Sequence, residues 1–489
     1  MKPVVTVDEM RAVDAEAQRT VPVAVLVQRA GTALARVALQ MLGGAYGRRV
    51  VVLAGSGNNG ADGRVAGALL ARRGAVVTVA DARGSPGQVG AGADLVIDAA
   101  VGTGFHGRYD APAVPPGVAV LACDIPSGVH GDTGVAAGRP LAAVRTVTFA
   151  AWKPGLLQGD GPALAGHVTV ADIGLDCSRA RVSLVEDADV DGLPARPPDA
   201  HKWQTAVAVV AGSPGMTGAA ALCARAAGRA GAGMVRLGVP GADPGDLPAG
   251  EAVGIALPAA GWADEVVALS RRCAAVVVGP GLGRGEAVAA EVRRLVARCP
   301  VPVVVDADGL HALGDPAALA AVVSARGRGD VVLTPHDGEL ARLAGSAPGP
   351  DRLAAARGLA AASGAVVLSK GPTTVVARPD GRAHVVRAGS PRLATAGTGD
   401  VLAGMIGAFV ARGVAPPEAA ALAAHVHGRA AGLGRAEGLL AGDLPELVAD
   451  WLSARAAGAA RSAGAGTETG AARSAGAATE AGRGDGAPA

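Results

Sequence analysis

Two three-layer α/β domains are predicted for this 489-residue chain by three features. Short apolar runs alternate with helical spacing along the whole length, which implies parallel sheets built from βαβ units. Nearly every such run ends in a polar, glycine-containing loop, so ligand-binding residues gather beyond the carboxyl ends of the strands. An acid- and proline-rich stretch, EDADVDGLPARPPDAHK at 186–202, separates two such series and reads as a linker. The length also exceeds one ordinary core. The expected division is a first domain at 1–190, a linker at 191–202, a second domain at 203–456 and a disordered tail at 457–489.

Half the residues are hydrophobic and the formal charge is only +2. Bulk charge therefore points neither to nucleic acid nor to an anionic membrane. There are 74 glycines, about twice the usual share of roughly 7%, so single glycines say little and only grouped ones count. Five scattered cysteines with no Cys-x-x-Cys pair imply buried thiols in a reducing compartment. The N-terminus lacks a long apolar h-region and no apolar run reaches about 18 residues, so a cytoplasmic protein is expected.

In chain order, residues 8–42 read as helical. Arg48–Ala54 is a buried strand that ends in Gly55-Ser56-Gly57-Asn58-Asn59-Gly60-Ala61-Asp62-Gly63, and a helix follows to Leu70. Val76–Ala80, Asp94–Ala99 and Val118–Cys123 are the next strands. Three of the strand ends carry polar clusters: Asn58 to Asp62, then Asp98 with Gly102-Thr103-Gly104-Phe105-His106-Gly107-Arg108, then Asp124-Ile125-Pro126-Ser127. They supply amide, carboxylate and hydroxyl oxygens for a hard cation, and glycine-lined N–H groups for phosphate. The Gly-x-Gly alone is weak, since the spacing departs from the dinucleotide fingerprint, and Asn-Asn-Gly is also a common turn. Three clusters at successive strand ends carry more weight.

GSGNNGADG, DAAVGTGFHG, DIPSGVHGDTG and TVTFAAWKPGLLQGDG, in that order, resemble the NAD(P)H-hydrate epimerase (YjeF N-terminal) family over residues 8–190. The resemblance implies a Rossmann-like fold that interconverts the R and S forms of hydrated NADH or NADPH with potassium bound. It implies K+ ligands at Asn59, Asp98 and Ser127. Substrate contacts would be Asn58, Asn59, Gly60, Ala61 and Asp62, with Gly102, Thr103, Gly104, Phe105, His106, Gly107 and Arg108. Asp124 would lie against the damaged ring as a catalytic residue. Two departures stand out: Ala61 where glycine is usual, and Gln28 where an acidic residue is more common.

Beyond the linker, Ala206–Ala211, Ala274–Val278, Val301–Val305, Val331–Leu333 and Ala365–Leu368 read as strands, and Val375–Arg387 as a hairpin around Pro379-Asp380-Gly381. Their loops assemble a phosphate site. Lys370 is a point charge, Thr373 and Thr374 offer hydroxyls, and Gly397 to Gly399 offer backbone donors at the positive end of a helix. In that helix Val401, Leu402, Met405, Ile406, Phe409 and Val410 fall on one face, expected to be the buried side. Asp400 stands where it can act on a hydroxyl beside a phosphate; a helix cap is the plainer alternative. His336 is a ligand contact or an acid/base group. His201, His425 and His427 lack metal-ligand company, so no zinc site is read.

HKWQTAVAVVAGSPGMTGAAALCARAAGRAGAGMV, VVVGPGLGR, VDADGLHAL, LTPHDGE and LATAGTGDVLAGMIGA resemble the ADP- or ATP-dependent NAD(P)H-hydrate dehydratases of the ribokinase-like superfamily, over residues 201–452. The resemblance places substrate contacts at Ala219, Gly281, His336 and Asp400, with Asp400 catalytic. It places the adenine nucleotide on Lys370, Gly371, Pro372, Thr373, Thr374 and Gly399, and Mg2+ on the nucleotide phosphates. ADP or ATP is the implied co-substrate. Departures are Asp337, Ala396, Ser390 and Arg392, and Trp203-Gln204; the 390s changes could alter nucleotide preference.

The whole is thus expected to be a bifunctional nicotinamide-nucleotide repair enzyme, taking hydrated NADH or NADPH and an adenine nucleotide as small-molecule partners, and a homo-oligomer. Two rivals stand beside it: a small-molecule kinase using the same Gly-Thr-Gly-Asp loop, and a non-catalytic role for the first half. The tail from Gly458 is poor in large apolar residues and is assigned no chemistry.

Overall fold

A computed structural model describes residues 1–82, 88–247, 250–327, 329–458 and 461; the expected tail lies almost wholly outside them. Strands run β1 (Lys2–Val4), β2 (Arg49–Ala54), β3 (Val76–Asp81), β4 (Leu95–Ala99), β5 (Tyr109–Asp110), β6 (Ala119–Cys123), β7 (Gly138–Arg139), β8 (Arg145–Phe149), β9 (His167–Ala171) and β10 (Val182–Leu184). They continue with β11 (Ala206–Val210), β12 (Met234–Pro240), β13 (Val253–Leu257), β14 (Ala275–Val278), β15 (Val303–Val305), β16 (Val331–Leu333), β17 (Val366–Ser369), β18 (Thr374–Ala377) and β19 (Ala383–Val386).

A six-stranded sheet, ordered β3-β2-β4-β6-β8-β9, is parallel throughout. Its central strands β2, β4 and β6 are apolar on both faces because both are covered, whereas the edge strand β3 is largely exposed. One face packs Val50, Val52 and Ile97 under the helices Val23–Leu42 and Asn58–Ala71. The other face buries Leu53, Val96 and Val120 under less regular chain carrying Val89, Val114 and Leu141. The segment 8–42, expected to be helical, forms two helices, Val7–Ala17 and Val23–Leu42, interrupted before Pro22.

The second sheet has eleven strands, ordered β1-β10-β19-β18-β17-β16-β15-β14-β11-β12-β13. From β13 to β17 it is parallel; the β17-β18-β19 meander is antiparallel, as the Pro-Asp-Gly turn requires. Alternate residues feed two cores: Val207 and Val209 one, Ala206, Ala208 and Val210 the other. Strands β1 and β10, from the first 190 residues, extend this sheet: β10 pairs in parallel with β19, and β1 caps β10. The two halves thus share backbone hydrogen bonds.

The helix Thr398–Ala411 is buried on every side from Val401 to Ala411, not on one face only. It lies between the sheet, the helix Gly218–Arg229 and the helix Pro416–Leu433. Small residues permit this. A Cβ on Gly404 would stand 2.2 Å from the Cys223 carbonyl oxygen, so the two helices touch backbone to backbone. No described helix is long and apolar enough to cross a membrane.

Candidate active sites

Strand order reverses at β2/β4 in the first sheet, the place where α/β sheets bind ligands. A cavity of about 460 Å³ opens there, lined by Asn58, Asn59, Asp62, Gly102 to Phe105, Asp124 and Lys153. The loop after β2 enters the helix Asn58–Ala71 directly, so free N–H groups at the helix start face the cavity. Gly60 makes this turn possible: a Cβ there would sit 1.9 Å from the Gly55 carbonyl oxygen. Ala61 already lies within the helix, its N–H donating to Gly57, so its methyl does not enter that contact.

Asp124 takes a left-handed backbone, φ 67°, which stores strain at the end of β6. Its carboxylate accepts the Thr148 hydroxyl at 3.0 Å and lies 3.2 Å from the Lys153 ammonium. Lys153 is buried and also donates to the carbonyls of Phe149 (2.6 Å) and Ala151 (3.1 Å). Burial would raise the Asp124 pKa, but the Lys153 ammonium and the hydroxyls of Thr148 and Thr103 together outweigh it and hold the carboxyl below its ordinary value. Asp62 faces the opposite circumstance. Burial, then the charges of Asp124 and Asp14, push it up to about 8.

Asn59, Asp98 and Ser127 converge beneath this cavity. Asp98 is fully buried and makes no ion pair among the described residues. It accepts the Ser127 N–H at 2.9 Å, and burial raises its pKa. The Asn59 amide nitrogen donates to the Val101 carbonyl at 3.0 Å, its oxygen accepts no hydrogen bond among the described residues, and Ser127 Oγ bridges the same segment. A buried carboxylate ringed by neutral oxygens and lacking a counter-charge fits a monovalent cation.

In the second sheet the order reverses at β11/β14, where the Cβ position of Gly281 would lie 3.2 Å from the Ala219 methyl. Further along the same edge, Lys370 Nζ is 2.9 Å from Asp306 Oδ1, which also accepts the Thr334 hydroxyl at 2.6 Å. Burial would lower the Lys370 pKa, but Asp306, then Glu339, outweigh it and raise it. A Cβ on Gly399 would lie 3.4 Å from Lys370 Nζ and 3.6 Å from Asp306 Oδ2; the bare glycine leaves that space to a ligand. Asp400 stands in the first turn of the helix Thr398–Ala411. Burial, then the Asp306 charge, push it up to about 7 despite Lys370. Ala307, between Asp306 and Asp308, is again a non-glycine in left-handed conformation, φ 51°. No group of three His, Cys, Asp or Glu able to hold a metal occurs among the described residues, so a divalent ion would have no all-protein cage here.

Residues 23–89 and 81–155 match the family model described as YjeF-related protein N-terminus, and residues 207–453 match that of NAD(P)H-hydrate dehydratase. The bifunctional NAD(P)H-hydrate repair enzyme Nnr of Mycobacterium tuberculosis is 40% identical over 454 residues, covering 85% of this chain and 90% of that protein. The chain belongs to this family of bifunctional repair enzymes. The Moorella thermoacetica relative of the same name is 37% identical over 489 residues, covering 87% and 91%. Among solved structures, an ADP/ATP-dependent NAD(P)H-hydrate dehydratase from Bacillus subtilis, co-crystallised with ATP/Mg2+, aligns with 56% of this chain and 99% of that one, at 29% identity and TM-score 0.47. A ribokinase-like superfamily protein from Enterococcus faecalis aligns with 56% and 97%, at 22% identity and TM-score 0.49.

Not every residue expected at the repair sites faces them. His106 packs against His130, with ring centroids 5.7 Å apart, and Arg108 pairs with Asp110 on the surface; neither lines the cavity, nor does Gly107. The phosphate-binding role expected of the Thr373 hydroxyl needs correction: Thr373 is buried and donates to the Leu157 carbonyl at 2.5 Å, across to the first half. His336 caps the helix Asp337–Ala344; its Nδ1 accepts the Gly338 and Glu339 N–H groups, so only Nε2 is left for a ligand. Arg392 donates to the carbonyls of Ala431, Gly432 and Gly434, capping the helix Pro416–Leu433. Gln28 is exposed and lies outside the cavity lining.

Sequence reasoning missed Asp14, Lys153 and Asp306. Lys153 stood in a quoted motif, TVTFAAWKPG, where a lone lysine after an apolar run is a fair signal. Asp306 opens VDADG at a strand end beside an assigned phosphate lysine. Asp14 carried no local signal, because only the fold lays the first helix over the cavity.

Proposed function

We propose that the protein repairs hydrated NADH and NADPH in two steps. Residues 1–190 equilibrate the R and S hydrates, and residues 203–456 dehydrate the S form at the expense of ADP, or ATP, releasing phosphate and AMP, or ADP. The observation that carries the reading is the corner formed by Asp400, Lys370 and Asp306 at the start of a buried helix. A carboxyl poised near 7 is matched to removing a proton at neutral pH. It would deprotonate the ring hydroxyl as the oxygen attacks the terminal phosphoryl group. The N–H groups around Gly399 and the Lys370 ammonium would hold the transferring phosphate. Phosphorylation turns hydroxide, a poor leaving group, into phosphate, which departs with its bonding electrons while the neighbouring ring carbon gives up a proton to solvent and the ring double bond forms. Mg2+ would neutralise charge on the nucleotide phosphates and take its ligands mainly from them.

In the first half, Asn59, Asp98 and Ser127 would hold K+, which neutralises Asp98 and fixes the loop after β4. Asn58, Gly102 and Thr103 would receive the substrate, and Asp124 would face its ring. The same reading takes the enzyme as a cytoplasmic homo-oligomer. Its test is direct: purified protein, hydrated NADH, Mg2+ and either ADP or ATP should regenerate the absorbance of NADH. No regeneration with either nucleotide would sink the reading, and the faster of the two identifies the phosphoryl donor.

A further inference from the structure

Two carboxylates in the first cavity are held in contrasting ways. Asp124 is gripped by Thr148 and Lys153. Asp62, one turn into the helix that begins at Asn58, shares the cavity-lining face with Asn58 and Asn59. It is only 7% exposed, and among the described residues no group hydrogen-bonds or ion-pairs its carboxyl. A buried carboxyl without a protein partner must keep its proton or meet a ligand. Here it borders the space where the ring would lie.

Building on the repair reading, we propose that Asp62 is the proton-transferring residue of the epimerisation, while Asp124 remains a fixed anion beside the ring. Asp62 gives its proton to the ring hydroxyl. The carbon–oxygen bond breaks, its electron pair leaves with the oxygen as water, and the ring nitrogen's lone pair forms a double bond to that carbon. The resulting cation is planar at the reacting centre. Water then adds from the other face, the π pair returns to nitrogen, and the released proton passes through the cavity water to Asp62. Nothing is oxidised or reduced, and the enzyme returns to its starting state.

The surroundings suit this division. Asp14, Asp124 and Cys123 are the titratable groups that act on Asp62, and Arg11 of the first helix and Lys153 beyond β8 line the same cavity. Their balance keeps Asp62 protonated at neutral pH and Asp124 ionised. Two carboxyls driven apart in this way supply an acid and an anion from the same residue type. Thr148 and Lys153 also stop Asp124 from swinging towards Asp62, so the proton donor keeps its separate place.

The test uses the full chain, K+ buffer and separated (R)- and (S)-hydrates of NADH. For Asp62→Asn, which keeps shape and hydrogen-bonding capacity, kcat for R-to-S conversion should fall at least about 100-fold with KM changed less than about threefold. Dehydration of the S hydrate, in the other half, should be unchanged. Run in 18O-labelled water, the wild type should gain one solvent oxygen per inversion. A variant that turns over normally, or changes only KM, overturns the assignment, as does inversion with the original oxygen retained. If the wild type interconverts no hydrate at all, the repair reading itself fails, and that result is distinct from a normal wild type with an active variant.

Discussion

Lys370 and Asp306 form a 2.9 Å ion pair across two strand ends, and the Asp306 oxygen in that pair is also held by the Thr334 hydroxyl. The lysine that would meet the nucleotide is therefore anchored by a carboxylate, and that carboxylate's charge is one cause of the raised Asp400 pKa. Asp306→Asn removes the charge while keeping the shape. Asp400 should then titrate nearer its ordinary value, and the acidic limb of the kcat/KM profile for dehydration should move below the wild-type position near 7. A profile measured over pH with unmoved limb would show that Asp306 does not tune Asp400.

Asp400 should also be visible in stability. The folded protein holds this proton up to about 7, whereas the unfolded chain releases it near 3.8. Between those values the folded state binds more protons, so this group's contribution to stability falls as pH rises and is level above about 7. Asp400→Asn lacks the penalty. Its Tm advantage over wild type should be near zero at about pH 4, grow to about pH 7 and then stay constant, while dehydration is lost and epimerisation retained. Thermal unfolding over that range measures it; a constant or shrinking difference contradicts the sign.

Legibility differed sharply between the sheets and the sites. The parallel strands were readable because runs such as Val303–Val305 and Leu95–Ala99 are buried on both faces and end in polar loops. Strands β1 and β10 were not: each is three residues long, and they are ordered by β19 far along the chain. Periodicity found the helix Thr398–Ala411 but not the burial of its second face, since Gly404 and Gly407 read as compositional background until another backbone lies against them. Motif order named Asp124 and Lys370, whereas their partners Lys153 and Asp306 are set by tertiary contact. Thr373 shows the limit most plainly. A threonine in a phosphate-like loop proves to be a tie to Leu157 in the first half.

That tie carries a prediction. Thr373→Val keeps the volume but leaves the buried Leu157 carbonyl without this donor, a loss of about 1–3 kcal/mol. Because the bond joins the two halves in addition to the β10–β19 pairing, its loss should weaken their coupling as well as their stability. Calorimetry should show a lower first transition and a second one emerging from it. Unchanged, single-transition unfolding would mean that the halves are held by the shared sheet and core alone.

Asp98 makes the last case. A fully buried carboxylate with no cationic side chain paired to it among the described residues is costly when ionised, and Ser127 and Ala100 N–H groups offset only part of that cost. If K+ supplies the missing charge, replacing K+ with tetramethylammonium should abolish epimerisation and leave dehydration intact. It should also lower the Tm, because a cation at 100 times its Kd adds about 2.7 kcal/mol to the folded state. In Asp98→Asn the carboxylate charge is gone, so the Tm should no longer respond to K+. A wild type indifferent to the exchange in both activity and Tm would mean that Asp98 is kept neutral by its own proton, and that no cation is held there.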